Sequence, residues 1–193
     1  MTTRILGIDP GSRLCGWGVV DCVGVQIIHV DNGVVVLGSK QPLGARLGAL
    51  LDAVEAVLSR HRPHVVAVEA VFQHRNPRSA LILGQARGVV LAAAARAGLT
   101  IHDYTPQQVK KAVCGSGRAD KEQVQKMVSL RLGLPDLPQE DAADAVAVAI
   151  CHAQSLRFVG PDSVDQPPRR RRSKRAQDHA LAALVASQRE NRR

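Results

Sequence analysis

Ile5-Leu6-Gly7-Ile8-Asp9 is a short apolar run that ends in an acid, and Val65-Val66-Ala67-Val68-Glu69 repeats this pattern further along the chain. Both runs have the length and the composition of buried β-strands. An acid at the end of a buried strand is poorly solvated and normally needs a cation beside it. If the two strands are parallel neighbours, their axes lie about 4.8 Å apart and both carboxylates emerge at one sheet edge. The pair therefore indicates one metal site at the edge of a sheet.

Two further acids follow in the segment Pro138-Gln-Glu-Asp-Ala-Ala-Asp-Ala-Val146. Asp141 and Asp144 are spaced i and i+3, so on a helix they share one face. Together with Asp9 and Glu69 they supply four oxygen ligands, a set that suits Mg²⁺ or Mn²⁺ better than zinc. Cleavage of a phosphodiester by two metal ions is the chemistry that requires such a set.

Each acid also has an interpretation without a metal. Asp9 precedes Pro10-Gly11 and can open a turn. Glu69 can pair with a buried arginine. Asp141 and Asp144 lie near a helix start, where the macrodipole favours acids. Coincidence nevertheless explains poorly why all four acids lie at the ends of elements with matching polarity.

The chain has 193 residues, of which 45% are hydrophobic, so it can form one domain with a substantial core. Its formal charge is +9, and residues 166–193 contribute +7 of it. This basic end of the chain either binds nucleic acid or is a solvated appendage. We expect a folded domain at residues 1–158 and a basic, largely disordered tail at residues 159–193.

Several classes of protein are disfavoured by composition. The longest apolar stretch, Gly88–Ala95, is too short to span a bilayer, and no basic-then-apolar signal precedes the first strand. We therefore expect a cytoplasmic protein without a membrane association. The four cysteines form no Cys-x-x-Cys pair and are expected to be reduced thiols. Four aromatic residues are too few for a base-stacking platform.

Periodicity predicts the elements between the acids. Short segments rich in β-branched residues at 4–9, 15–21, 26–29 and 33–37 indicate an antiparallel run of strands. Helical spacing follows over 42–61, then the strand 65–69 and a helix over 79–97 crowded with small residues. These small residues allow close approach of another helix, from the same chain or from a second subunit. The remaining expected elements are a strand at 100–104 and helices from Pro106, over 121–132, and from Pro138 to about 156.

A set of motifs in this order resembles one known family. The motifs are Gly7-Ile-Asp-Pro-Gly-Ser12, Val68-Glu-Ala-Val-Phe72, Gly84-Gln-Ala-Arg-Gly88, Gln108-Val-Lys110, Lys121-Glu-Gln-Val-Gln-Lys-Met-Val128 and Asp141-Ala-Ala-Asp-Ala145. Each is weak alone, but together they are specific, and they closely resemble the RuvC-type crossover junction endodeoxyribonucleases (Holliday junction resolvases). The resemblance runs from residue 4 to about residue 155.

The resemblance implies a ribonuclease H-like α/β fold, with a five-stranded mixed sheet of three antiparallel and then two parallel strands flanked by helices. It implies a homodimer that nicks four-way DNA junctions symmetrically during recombination and repair, together with the RuvA and RuvB branch-migration proteins. A two-fold junction suits a two-fold enzyme. The expected cofactor is Mg²⁺, two ions per subunit, for which Mn²⁺ can substitute. By position, Asp9, Glu69, Asp141 and Asp144 resemble the family's catalytic metal ligands.

Four further residues are expected to contact DNA. Phe72 resembles an aromatic residue that wedges into the junction, and Arg75 follows in the same loop, within reach of the scissile phosphate. Lys110 and Lys121 resemble basic phosphate contacts. An ordinary core phenylalanine and solvated lysines are the alternatives for Phe72 and the two lysines.

Two other functions are compatible with parts of the sequence. Gly7-Ile-Asp-Pro-Gly-Ser12 also resembles the phosphate-binding turn of actin-like phosphotransferases and ATPases, but those proteins need a second repeated domain. A catalytically silent scaffold that binds junctions is the other alternative, and the presence of all four acids argues against it. The segment Gly115-Ser-Gly117 lacks the Gly-Lys-Ser/Thr ending of a nucleotide-binding loop.

Overall fold

Five strands form one mixed sheet in the order β3-β2-β1-β4-β5. A computed structural model describes residues 1–11, 13–38, 40–70 and 76–158 of the chain. The strands are β1 (Thr2–Asp9), β2 (Leu14–Val23), β3 (Gln26–Val36), β4 (Val65–Glu69) and β5 (Thr100–Tyr104). The pairs β1–β2 and β2–β3 are antiparallel, whereas β1–β4 and β4–β5 are parallel. This confirms the ribonuclease H-like α/β fold class that the sequence suggested.

One strand prediction was wrong. The segments 26–29 and 33–37 are not two strands, because β3 continues from Gln26 to Val36. A register shift opposite Val19 and Val20 takes up one extra residue of β3, as a β-bulge does. Gly33 marks no turn: an added Cβ would lie 2.8 Å from the Trp17 ring, so the glycine makes room for that side chain on the neighbouring strand.

Five helices complete the described fold, and they lie close to the predicted ranges: α1 (Leu43–His61), α2 (Pro77–Arg96), α3 (Pro106–Cys114), α4 (Lys121–Leu132) and α5 (Glu140–Phe158). Helix α2 starts earlier than expected because Asn76 caps it and Pro77 occupies its first turn. Helix α5 starts later, because the Pro138 carbonyl accepts a hydrogen bond from the Gln125 side chain, 2.6 Å away. None of these helices has the combination of length and apolarity that a bilayer crossing requires.

The helices cover both faces of the sheet. Leu6 and Ile8 of β1 pack in one core cluster with α1 and α2. Ile5 packs in the other cluster, with α3, α4 and α5. Because β1 lies at the centre of the sheet, its run from Ile5 to Ile8 is buried on both faces, which explains the continuous apolar sequence.

Helix α5 lies unusually close to the strands beneath it, because three glycines face it. An added Cβ would lie 2.1 Å from the Ala145 carbonyl oxygen at Gly7, 1.9 Å from the Asp141 carbonyl oxygen at Gly16, and 2.3 Å from Val146 Cγ2 at Gly18. We call these three residues the glycine seam. Together with the alanines of α5, the seam brings the helix backbone onto the sheet and places its first turns beside the end of β1.

Candidate active site

A cleft of about 450 Å³ opens at the carboxyl ends of β1 and β4. The edge of parallel strands is the usual place for a functional site in such a sheet. Residues of β1, β4 and helices α2 to α5 line this cleft, and the charged ones are Asp9, Glu69, Asp144, Lys110 and Lys121. The structure thus brings together three of the four predicted acids and both predicted lysines.

Asp9 and Glu69 lie side by side because Ile8 and Val68 are register partners in the parallel pair β1–β4. Their carboxyl groups lie close enough for each to shift the pKa of the other. Burial raises the pKa of Glu69 to about 8, and the nearby charge of Asp9 adds to the shift. Burial also raises the pKa of Asp9. Two carboxylates this close cannot both ionise easily unless a cation is present.

Asp144 projects into the same cleft from the second turn of α5. Burial and the neighbouring charge of Asp9 raise the pKa of Asp144 to about 6, while Lys121 opposes this shift. Asp141, one turn earlier, is not among the lining residues but lies near enough to raise the pKa values of Asp9 and Asp144 through its charge. The i, i+3 spacing therefore does place both aspartates beside Asp9, with Asp144 the nearer to the cleft space.

Two lysines line the same cleft as the acids. Lys121, the first residue of α4, forms an ion pair with Glu140 and lies 3.9 Å from Asp144 Oδ2. Lys110 of α3 lines the cleft, and its charge lowers the pKa of Glu69 against the dominant effect of burial. Both ammonium groups therefore balance part of the charge of the acids.

The ligand chemistry of the cleft fits a hard divalent cation, since every candidate ligand is a carboxylate. In the residues that the structure describes, however, no three His, Cys, Asp or Glu side chains are grouped closely enough to enclose an ion as they stand. In this arrangement Lys121 balances part of the charge of the acids. Metal binding therefore requires the acids to be deprotonated and their side chains to come closer together.

Two of the predicted DNA contacts, Phe72 and Arg75, lie outside the described residues, as does the basic segment 159–193. The division of the chain after residue 158 consequently stays a prediction. Met1–Phe158 itself forms one compact unit.

The sequence analysis missed three contributors to the site. Glu140 was not singled out, although its position directly before Asp141 places it at the N-terminus of α5, level with Lys121. The glycine seam was also missed, and its signal was the alternation Gly16-Trp17-Gly18 opposite an alanine-rich helix. Cys15 lies behind the acids, where burial raises its pKa to about 12, so the thiol stays protonated and is a poor ligand.

A mixed sheet of this order, with carboxylates gathered where its parallel strands end, defines a ribonuclease H-like protein with an acidic cleft of the kind that nucleases use. The chain belongs to the RuvC family of crossover junction endodeoxyribonucleases, whose family model, described as crossover junction endodeoxyribonuclease RuvC, matches residues 5–152.

Individual relatives support this placement. The chain is 52% identical over 151 residues to the crossover junction endodeoxyribonuclease RuvC of Citrifermentans bemidjiense, covering 78% of this chain and 92% of the relative. It resembles the solved structure of Thermus thermophilus RuvC with 39% identity and a TM-score of 0.74. The structure of T. thermophilus RuvC in complex with Holliday junction substrate matches with 40% identity and a TM-score of 0.76. Both matches cover 81% of this chain and 96% of the other.

Proposed function

We propose that this endonuclease resolves four-way DNA junctions by paired, symmetric nicks, and that the cleft around Asp9, Glu69 and Asp144 is its catalytic centre. The observation that carries the proposal is the convergence of three partly buried acids and two lysines at one sheet edge, in a family whose T. thermophilus member has been solved with a junction substrate. Buried acids with raised pKa values in a cleft are candidates for a functional site rather than for structural ion pairs.

We further propose that Asp9, Glu69, Asp141 and Asp144 hold two Mg²⁺ ions per subunit, and that Mn²⁺ can replace them. Bound divalent ions supply a Lewis acid for the scissile phosphate and make a water molecule acidic enough to attack it. Asp9 and Glu69 come from the adjacent strands β1 and β4, and α5 carries the other two acids. Cleavage at the 3′ oxygen leaves a 5′ phosphate and a 3′ hydroxyl, ends that a ligase can seal.

Lys110 and Lys121 are proposed to bind DNA phosphates at the rim of the cleft. Both lysines line the same cleft as the acids, so a phosphate that enters the cleft meets their ammonium groups beside the carboxylates. Phosphate contacts of this kind orient the backbone without reading its sequence. Phe72 and Arg75 remain proposed DNA contacts on the basis of the resemblance alone.

The enzyme is proposed to act as a homodimer, because a junction with two-fold symmetry is cut at two equivalent strands. Helix α2 offers a candidate interface: Leu81, Gly84, Gly88, Ala92 and Ala95 are all exposed and lie along one side of it. An added Cβ at Gly88 has nothing within 4 Å, so Gly88→Leu leaves the protomer undisturbed. Loss of dimer mass in sedimentation would therefore report the interface itself, and an unchanged mass would place the interface elsewhere. Cooperation with RuvA and RuvB, and a cytoplasmic location, are proposed on the family resemblance.

Cleavage of a mobile synthetic four-way junction in Mg²⁺ tests the proposal directly. Each strand is end-labelled in turn, and linear duplex of the same sequence serves as the control substrate. The expected products are two nicks at symmetry-related positions with ligatable ends, formed in Mg²⁺ or Mn²⁺ and not in EDTA. Retardation of the junction without nicking would instead indicate a silent scaffold, and hydrolysis of ATP would indicate an actin-like phosphotransferase.

A further inference from the structure

Glu140 and Lys121 form an ion pair at the mouth of the cleft. Each residue is the first of its helix, Lys121 in α4 and Glu140 in α5. Glu140 Oε1 accepts a hydrogen bond from Lys121 Nζ, and the same ammonium group lies 3.9 Å from Asp144 Oδ2. The pair is supported from behind, since Gln125 of α4 donates a hydrogen bond to the Pro138 carbonyl just before α5.

The pair has a cost for a protein that binds DNA. Glu140 is about half exposed, with 53% of its side-chain surface open to solvent at the cleft mouth. A carboxylate in that position repels the phosphates that Lys121 attracts. An exposed ion pair by itself stabilises a fold very little, so stability does not offset this repulsion.

What Glu140 provides instead is a fixed position for a flexible cation. A lysine side chain has four rotatable bonds, and 64% of the Lys121 side chain is exposed. Its other partner, Asp144, is one of the proposed metal ligands, so a bound ion would compete for that carboxylate. Glu140 is then the group that keeps the ammonium beside the cleft.

We propose that Glu140 is a positioning residue for Lys121: its carboxylate holds the ammonium group where a scissile phosphate enters the cleft, and so it speeds nicking although it repels DNA. This inference rests on the proposed function. It predicts opposite effects on binding and on catalysis when Glu140 loses its charge. If Glu140 only repelled DNA, loss of its charge would strengthen binding without slowing nicking. If Glu140 only supported the fold, its effect on nicking would not depend on Lys121.

The test compares Glu140→Gln with wild type in two assays. Junction affinity is measured in EDTA, where no nicking occurs, and single-turnover nicking is measured in saturating Mg²⁺ with enzyme in excess. Affinity is expected to stay equal or to increase, while the nicking rate falls by about tenfold to a hundredfold, since a misplacement of about 1 Å can cost about 100-fold in rate. Weaker binding in EDTA, or nicking at the wild-type rate, would overturn the proposal.

Two matched variants separate positioning from charge alone. Glu122→Gln removes an acid from the first turn of α4 that pairs with Lys126 instead, 3.6 Å away, and it should leave nicking unchanged. Glu140→Asp keeps a negative charge at the N-terminus of α5 but shortens the reach toward Lys121. Its nicking rate should lie between those of wild type and Glu140→Gln, and a wild-type rate would mean that only the charge at the helix end matters.

A double-mutant cycle with Lys121→Met decides whether Glu140 acts through Lys121. In the Lys121→Met background, Glu140→Gln should have no further effect on nicking. An equal loss in both backgrounds would show that Glu140 acts independently and would overturn the proposal. If the wild-type protein does not nick junctions, the proposed function is wrong. If the wild-type protein nicks junctions and Glu140→Gln nicks them at the same rate, only the proposal for Glu140 is wrong.

Discussion

The two ends of helix α5 use buried polar side chains in opposite ways. Near its start, Asp144 faces Asp9 and Glu69, and all three have raised pKa values because burial and like charges oppose ionisation. Near its end, His152 is only 2% exposed, and its Nδ1 forms a hydrogen bond with the hydroxyl of Tyr104, which in turn contacts Ser155. Near the start of α5, the carboxyl groups repel one another when they ionise. Near its end, the polar groups form hydrogen bonds with one another.

The network at the far end can be assigned completely. Three contacts join His152, Tyr104 and Ser155: Nδ1 to the tyrosine oxygen at 2.7 Å, that oxygen to Ser155 Oγ at 2.9 Å, and Oγ to the His152 carbonyl at 2.8 Å. Hydrogens suffice for all three only if Nδ1–H donates to the tyrosine, the tyrosine to the serine and the serine to the carbonyl. We infer that the end of α5 around His152 contributes to the stability of the fold, whereas the end around Asp144 serves the proposed function at some cost in stability.

The largest effect is expected from the acids. Asp9→Asn or Glu69→Gln removes a ligand charge at nearly constant shape, so nicking should fall by several orders of magnitude while junction binding survives. The free energy of unfolding in EDTA should stay equal or rise, because a buried repelling charge is lost. Single-turnover nicking and urea denaturation measure the two quantities. Asp52→Asn, on the exposed side of α1, is the control; nicking within tenfold of wild type in both cleft variants would refute the site.

The second largest effect is that the free energy of unfolding of the metal-free protein depends on pH through Glu69. The pKa of Glu69 rises from 4.5 to about 8 on folding, so the folded state keeps its proton longer than the unfolded chain does. The free energy of unfolding that Glu69 contributes is therefore lost as the pH rises from 4.5 to 8. Glu69→Gln cannot titrate, so its stability relative to wild type should increase across this range. A flat difference between the two denaturation curves would mean that the cleft acids do not repel one another.

The third effect has the opposite sign and comes from His152. Burial lowers its pKa from 6.5 to about 4, so the unfolded chain binds a proton more readily than the folded protein. Stability is complete above pH 6.5 and is lost as the pH falls toward 4, by roughly 3 kcal/mol in total. His152→Gln should lack this loss. If the variant and wild type lose stability in parallel between pH 6.5 and 4, the histidine is not buried in its neutral form.

The smallest effect is expected from Tyr104→Phe. Without its hydroxyl, the Nδ1–H of His152 loses its acceptor in a buried place, which should reduce the free energy of unfolding by roughly 1–3 kcal/mol. Nicking per folded molecule should not change, because Tyr104 is not among the residues that line the cleft. Denaturation and single-turnover nicking of the same sample check both statements. A slower nicking rate without a loss of stability would contradict this prediction, because Tyr104 would then contribute to nicking and not to the stability of the fold.

Much of the site could be predicted from local sequence. Asp9 and Glu69 end apolar runs, and a parallel pairing then fixes their positions, whereas Asp141 and Asp144 need only helical periodicity. Glu140 could not be separated from an ordinary acid at a helix start, because its partner Lys121 belongs to another helix. Likewise, Gly33 carried a turn signal, and only the neighbouring Trp17 explains why the strand continues through it.

The glycine seam sets the distance between two pairs of acids, Asp9 and Glu69 on the sheet and Asp141 and Asp144 on α5. It does so because the three glycines have no side chain that would hold α5 away from the sheet. A methyl group on Gly7 would lie 2.1 Å from the Ala145 carbonyl, and an ordinary contact of 3.4 Å would require α5 to retreat by more than about 1 Å. The helix would carry Asp141 and Asp144 with it as one rigid body, away from Asp9 and Glu69. Mg²⁺ tolerates little deviation from ligand distances near 2.1 Å, so in the proposed metal centre the absence of a side chain at Gly7 would set the spacing that the ion requires.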